Sequence, residues 1–290
     1  NKFAHVADLV RRGADLKVLL ASVEIARLLA EFASANNVRI KTMIEIDCGD
    51  HRTGLAPEDD ALITAATILN DSDAVELYGL LTHGGHSYAC RSHAAIRQVA
   101  EDERSALLAA SKRLEEAGMS GLLLSSGSTP TAALGENFSG LSELRPGVYL
   151  AGDLFQAQLG TCELDDIAIS VLASVIAHDV AANRLVLDAG GLALSKDRST
   201  ADATVDYGYG LVVRESGGPF EDDLIVAGVS QEHGEVTSKL PLPFDELPLG
   251  SRVRVLPNHV CMTAAAYDCY QVVEGKNTLV IDTWDKASGW

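Results

Sequence analysis

Ile40-Lys-Thr-Met-Ile-Glu-Ile-Asp47, running directly into Cys48-Gly-Asp-His-Arg-Thr-Gly54, is the stretch whose reading decides the fold. An apolar run of strand length followed at once by a glycine-bearing polar loop is the signature of a buried strand that delivers chemistry at its C-terminal end. The same unit recurs on both sides. Leu16–Ala21 reads as a strand after a helix over 2–12. Ser22–Ala35 is helical, and so is Pro57–Ile68. Glu76–Thr82 is a strand ending at His83-Gly-Gly-His-Ser-Tyr88. A long helix covers about 90–117, and Gly121–Ser125 is a strand ending at Ser126-Gly-Ser-Thr-Pro-Thr131. A fifth strand is expected around Leu144–Leu150. Strands alternating with helices give a parallel sheet, and loops rich in Gly, His, Ser and Arg after every strand match the ligand-binding face of a (β/α) barrel.

Beyond residue 163 the pattern changes. Ala168–Ala177, Arg184–Asp188, Leu211–Arg214, Leu224–Gly228, Arg252–Leu256 and Thr278–Asp282 read as strands with no helices between them, hence a mostly antiparallel β domain. The expected architecture is therefore α/β: an incomplete TIM-type barrel over 1–162 followed by a β domain over 163–290. A complete barrel has eight strands. The chain opens at Asn1 in a helical pattern, so the reading expects further βα units before it.

With 47% hydrophobic and 22% charged residues, the 290-residue chain has the composition of a globular protein. No apolar run reaches membrane-span length and no signal segment opens it, so a cytoplasmic enzyme is expected. A formal net charge of −18 without a basic block argues against nucleic acid and membrane as partners. The odd number of scattered cysteines, five, speaks against a disulfide framework.

Four loops carry candidate chemistry. Ser126-Gly-Ser-Thr129, between a strand and a helix start, reads either as an anion cup of amides and hydroxyls or as an ordinary hydroxyl cap on the helix. Glu45 and Asp47 alternate onto one face, where Arg52 can pair with them or with a ligand's ring nitrogen or carboxylate. His83, His86 and Tyr88 are acid/base or stacking candidates. In Pro257-Asn-His259-Val-Cys261 the two-residue spacing is expected to place an imidazole and a thiol on one face of a strand, a ligand pair suited to zinc; a core histidine and an inert buried cysteine are the competing reading. The sequence contains no Ser/His/Asp triad, Walker loop or dinucleotide fingerprint.

Taken in order, residues 45–54, 83–88, 126–131, Leu144-Arg-Pro-Gly-Val-Tyr149, Asp188-Ala-Gly190, Glu232-His-Gly234 and 257–261 resemble the D-threonine aldolase and D-serine dehydratase family along nearly the whole chain. The resemblance implies an alanine-racemase-like, type III pyridoxal phosphate fold working as a homodimer on a small D-amino acid. It implies that Ser126, Gly127, Ser128 and Thr129 hold the cofactor phosphate. Arg52 would lie by the pyridine nitrogen, His83, Tyr88 and Tyr149 would be catalytic groups near the cofactor, and His259 with Cys261 would be the metal pair. His-x-Cys resembles the zinc-dependent D-serine dehydratases; manganese or magnesium is the alternative. The implied activity is dehydration of D-serine or D-threonine to a 2-oxo acid and ammonia. Retro-aldol cleavage to glycine and an aldehyde is the alternative, followed by racemisation or a non-catalytic pyridoxal phosphate-binding role. Two departures stand out: Gly191-Leu-Ala193 follows Asp-Ala-Gly where relatives often carry a lysine, and the family's Pro-x-x-Lys-Thr-His-Lys-like motif with the Schiff-base lysine does not occur in these residues.

Overall fold

The computed structural model describes residues 1–275 and 277–287, which form two compact units, Asn1–Gly147 and Val148–Trp290. In the first unit helices α1 (Phe3–Arg11), α2 (Val23–Ala35), α3 (Asp60–Asn70), α4 (His93–Glu116) and α5 (Thr129–Leu134) alternate with strands β1 (Lys17–Leu20), β2 (Ile40–Glu45), β3 (Val75–Leu81), β4 (Leu123–Ser126) and β5 (Glu143–Leu144). The strands pair in chain order and all in parallel, as the apolar-run-then-loop pattern implies. Their C-terminal ends therefore share one edge of the sheet, and every candidate loop of this unit emerges there.

β2 is buried on both faces, as a central parallel strand should be. Ile40, Ile44, Leu80 and Leu124 meet Leu29, Ala33, Leu62, Leu69, Leu107 and Leu114 in one core. Each fully buried Leu or Ile there contributes about 1.5–3 kcal/mol. Ser22, Asp59 and Ser92 cap α2, α3 and α4, each accepting a backbone N–H of its helix's first turn. The expected fifth strand over Leu144–Leu150 is much shorter than its sequence pattern suggests. Only Glu143–Leu144 pairs with β4, because Pro146 has no N–H to continue a ladder and Val148–Leu150 turns into a 3₁₀ helix.

The second unit is built on strands β6 (Val171–Asp179), β7 (Arg184–Leu187), β8 (Gly210–Arg214), β9 (Leu224–Val229), β10 (Gly234–Thr237) and β11 (Arg252–Pro257), which close a six-stranded antiparallel barrel in the order β10-β7-β6-β11-β8-β9. A hairpin of β12 (Cys269–Val273) and β13 (Val280–Asp285) stands as a separate two-stranded sheet. Alternation does the work here: along β11, Val253 and Val255 point into the barrel while Arg252 and Arg254 point out. Helix α6 (Leu154–Leu159) precedes these strands, and the reading of a stretch without helices beyond residue 163 needs correcting, because α7 (Gly191–Leu194) and α8 (Val260–Ala264) punctuate it. Each is shorter than two turns, too short for a 3.6-residue apolar period to register. Among the described residues no helix is long and apolar enough to cross a membrane.

Candidate active site

In the first unit the loops after β2, β3 and β4 are joined by specific bonds. His83 Nδ1 lies 3.0 Å from the Gly127 carbonyl. A carbonyl only accepts, so Nδ1 carries the proton and a neutral ring keeps its lone pair at Nε2. Ser87 Oγ lies 2.9 Å from Ser128 Oγ, and His86 lies 3.8 Å from Asp50. Arg52 reaches Glu45 at 3.9 Å and Asp50 at 3.8 Å. His51, whose φ is +54°, caps the turn by placing its ring 2.8 Å from Asp47. Burial works to raise the Asp47 pKa, but the Gly49 and His51 amides and the His51 ring bring it below the usual value. Cys48, pushed up to about 11 by burial, is an inert packed thiol.

The loop 126–131 combines both of its sequence readings. Ser126, Ser128, Thr129 and Thr131 are all buried. Ser128 caps α5 in a reciprocal box: its Oγ accepts the Thr131 N–H while its own N–H donates to Thr131 Oγ1 at 3.0 Å. Gly127, at φ +118°, adopts a backbone conformation that disfavours any side chain. Its amide is not idle. It donates to Glu103, as do the Gly84 N–H at 2.5 Å and the Thr131 hydroxyl. Glu103 is 2% exposed, and burial pushes its pKa up against the pull of those donors. It ties the His83-Gly84 loop to the Ser126–Thr129 loop, a role that no motif announced. The available signal was its position on the apolar stripe of α4, between Val99, Ala100 and Leu107. Arg145 behind the same loops donates to Ser125 Oγ and the Thr82 carbonyl. The buried hydroxyls of Ser126, Ser128 and Thr129 are the part of this loop that fits an anionic phosphate, since the Gly127 and Ser128 N–H groups are engaged by Glu103 and Thr131. Tyr88 sits in the 3₁₀ turn Gly85–Ala89.

In the second unit Tyr149 lies in the turn Val148–Leu150, 61% exposed. His259 and Cys261 are not on a strand, contrary to the expectation. β11 stops at Pro257, His259 takes the cap position of α8, and Cys261 lies in its first turn. The two side chains nevertheless meet, because the His259 ring hydrogen-bonds the Cys261 thiol. On its other side His259 Nδ1 lies 2.7 Å from Asp197 Oδ2. Together the Cys261 contact and the Asp197 carboxylate outweigh burial and raise the His259 pKa to about 9. Asp197 itself is lowered despite its burial, by the Ser199 hydroxyl and the His259 ring. A carboxylate that fixes Nδ1–H leaves Nε2 and the thiol as a convergent pair, the donor set of a borderline metal such as zinc. Among the described residues no group of three or more His, Cys, Asp and Glu side chains is arranged to hold a metal. The other two motif loops of this unit pack together: Gly191 N–H donates to the Ser230 carbonyl at 2.8 Å, and a Cβ on Gly190 would stand 2.5 Å from the His233 nitrogen. Only glycine fits at residue 190.

Residues 3–154 match the family described as "Alanine racemase, N-terminal domain", and residues 168–273 match "Putative serine dehydratase domain". D-threo-3-hydroxyaspartate dehydratase of Delftia sp. (strain HT23) is 35% identical over 294 residues, covering 100% of this chain and 77% of the relative. Its solved structure superposes with a TM-score of 0.94. Structures of that relative include a histidine-to-alanine variant and a cysteine-to-alanine variant two positions away, the latter in a metal-free form. D-serine dehydratase of Dictyostelium discoideum is 30% identical over 281 residues, covering 91% of this chain and 70% of the relative. The D-threonine aldolase structure from Filomicrobium marinum aligns with a TM-score of 0.80 at 25% identity, covering 98% of this chain and 72% of that one.

Proposed function

The chain belongs to the family of D-3-hydroxyaspartate and D-serine dehydratases that carry an alanine racemase-type N-terminal domain, and from that premise we propose that it is a pyridoxal phosphate- and metal-dependent lyase acting on D-3-hydroxy amino acids. Dehydration to a 2-oxo acid and ammonia is the proposed reaction, with D-serine, D-threonine and D-threo-3-hydroxyaspartate as the candidate substrates. The observation that carries the reading is the row Asp197–His259–Cys261, a ligand pair whose imidazole is oriented by a carboxylate on Nδ1.

Ser126, Gly127, Ser128 and Thr129 are proposed to form the phosphate cup, with Glu103 holding the Gly127 amide in place. Arg52 would hold a hydrogen bond toward the pyridine nitrogen. The bound cofactor supplies an electron sink for charge that develops at the substrate Cα. His83, its Nδ1 committed to the Gly127 carbonyl, can take or return a proton at Nε2. Tyr88 and Tyr149 offer phenol O–H groups for orienting the substrate and moving its protons. His259 and Cys261 would hold zinc, in preference to manganese or magnesium because a thiolate is too soft for either. The metal supplies Lewis acidity at the substrate β-hydroxyl, the group that leaves in a dehydration.

The D-threonine aldolase likeness supports a second reading, in which the Cα–Cβ bond breaks and glycine and an aldehyde form. A homodimer belongs to the same proposal, supported by the exposed apolar side chains of β13, Ile281 at 57% and Trp284 at 60%. The test is to incubate the purified protein, loaded with pyridoxal phosphate and zinc, with the three D-substrates and their L-enantiomers. The proposal expects 2-oxo acid and ammonia from a D-substrate, lost on chelation and restored by zinc. Aldehyde with glycine would move the assignment to the aldolase. Turnover that ignores chelation, or a Cys261→Ala variant with full activity and zinc content, would overturn the metal assignment.

A further inference from the structure

We infer that Asp153 is a positioning residue for the metal pair, locking the backbone between His259 and Cys261; the inference rests on the metal reading just proposed. Asp153 is 1% exposed and uses its two oxygens on different elements. Oδ1 accepts the Gln156 N–H at 2.7 Å and caps α6, whereas Oδ2 accepts the Val260 N–H at 3.0 Å. Val260 is the single residue separating the two ligands. The tie runs in both directions, because Phe155 N–H donates to the Asn258 carbonyl at 3.3 Å.

The choice of residue is informative. A helix cap needs one acceptor, and Ser or Asn serves as well as Asp without burying a charge. Only a carboxylate offers two acceptors and no donor, which is what capping α6 and holding Val260 together demands. The neighbouring backbone is fixed in the same manner. Asn258, 1% exposed, accepts the Thr200 N–H at 3.1 Å and donates to Thr200 Oγ1 at 2.9 Å and the Gly208 carbonyl at 2.6 Å. With Asp197 on the imidazole, the peptide groups on both sides of His259 and its ring each carry a restraining hydrogen bond. A ligand pair held on such a frame enters metal binding with its geometry already set, and loosening it lowers affinity without removing a ligand.

Two variants isolate the bond to Val260. Asp153→Asn keeps one oxygen for the cap and turns an N–H against the Val260 N–H. Asp153→Ser keeps the cap and is too short to reach Val260. Zinc affinity would be measured by competition with a chromophoric chelator, and ligand geometry from the visible and thiolate charge-transfer bands after cobalt(II) replaces zinc. Thermal unfolding of the metal-stripped proteins would run alongside. Both variants are expected to bind zinc about tenfold or more weakly, with altered cobalt bands, and to unfold somewhat earlier than the parent without metal because the buried Val260 N–H loses its acceptor. If both hold zinc as tightly as the parent with an unchanged cobalt spectrum, while Cys261→Ala loses the metal, Asp153 is only a helix cap and the inference fails alone. If Cys261→Ala retains zinc at the parent affinity, the metal pair is wrong and the inference falls with it.

Discussion

Glu103 in the first unit and Asp153 in the second are both buried carboxylates that bind backbone N–H groups in preference to a lysine or arginine, and both have their pKa raised by burial. They solve different problems. The candidate groups of the parallel unit sit on loops from separate strands, brought to one edge by topology, where His83 meets the Gly127 carbonyl and Ser87 meets Ser128. Glu103, from the middle of the long helix α4, bridges two of those loops through Gly84 and Gly127. In the β unit the candidate ligands are already two residues apart, so Asp153 has only to fix the peptide between them. A site assembled across strands needs a tether between loops, whereas a site local in sequence needs a lock on its own backbone.

The largest effect should come from cutting the tether. Glu103→Ala leaves two buried amide donors without an acceptor, at a cost of about 2–6 kcal/mol. Denaturant unfolding should register that loss, and pyridoxal phosphate affinity should fall with it. Glu103→Gln retains one acceptor oxygen and should lie between Ala and the parent. If the Ala variant loses neither stability nor cofactor affinity, Glu103 is not the tether between the loops.

Next in size is the outer partner of the metal pair. Asp197→Asn puts an amide in place of the carboxylate that fixes His259, and an effect of about 10–100-fold on zinc affinity is expected. The protein's unfolding without metal should move much less. Equal losses in both measurements would mean that Asp197 supports the fold of its loop and not the imidazole. Ser128→Ala ranks below it. The variant loses the α5 cap and the contact with Ser87, worth about 1 kcal/mol, and should weaken cofactor binding without touching the zinc titration. An effect on both would contradict the assignment of separate tasks to the two loops.

The contrast between tether and lock also explains what the sequence made visible. The parallel unit was legible because its strands are continuous apolar runs and its helices are long enough to show a period, with caps at Ser22, Asp59 and Ser92. β10 was missed because Gly-Glu-Val-Thr is short and half polar, and the short helices of the second unit have no period to read. Spacing found His259 and Cys261 but assigned them to a strand, although Pro257-Asn258, a residue without an N–H followed by a turn former, marks the end of β11. Asp197 stands 62 residues from His259 and Asp153 stands 107 from Val260, so only the fold brings them in. Asp153 did leave a trace, an Asp-Leu-Phe-Gln capping pattern at 153–156, and Glu103 left another as an acid on an apolar helix face.

The smallest effect comes from a carboxylate in the opposite situation. Asp15 is exposed and accepts from Lys17 and Lys41, whose hydrogen bonds lower its pKa from 3.8 to about 2. For a depressed acid, the stabilisation is complete above the unfolded value and is lost as pH falls through the folded one. Glu103 and Asp153 carry the reverse sign. Their raised values mean that the folded state binds the proton more tightly, so stability contributed by each is gained as pH falls through its raised value toward the ordinary carboxylate value. Asp15→Asn should therefore flatten the stability profile only between pH 3.8 and about 2, slightly, because the pair is solvated and screened by salt. Glu103→Gln should instead remove a slope above the ordinary glutamate value. If the two variants alter the profile in the same pH interval and with the same sign, burial is not what separates the tethering carboxylates from the one at the surface.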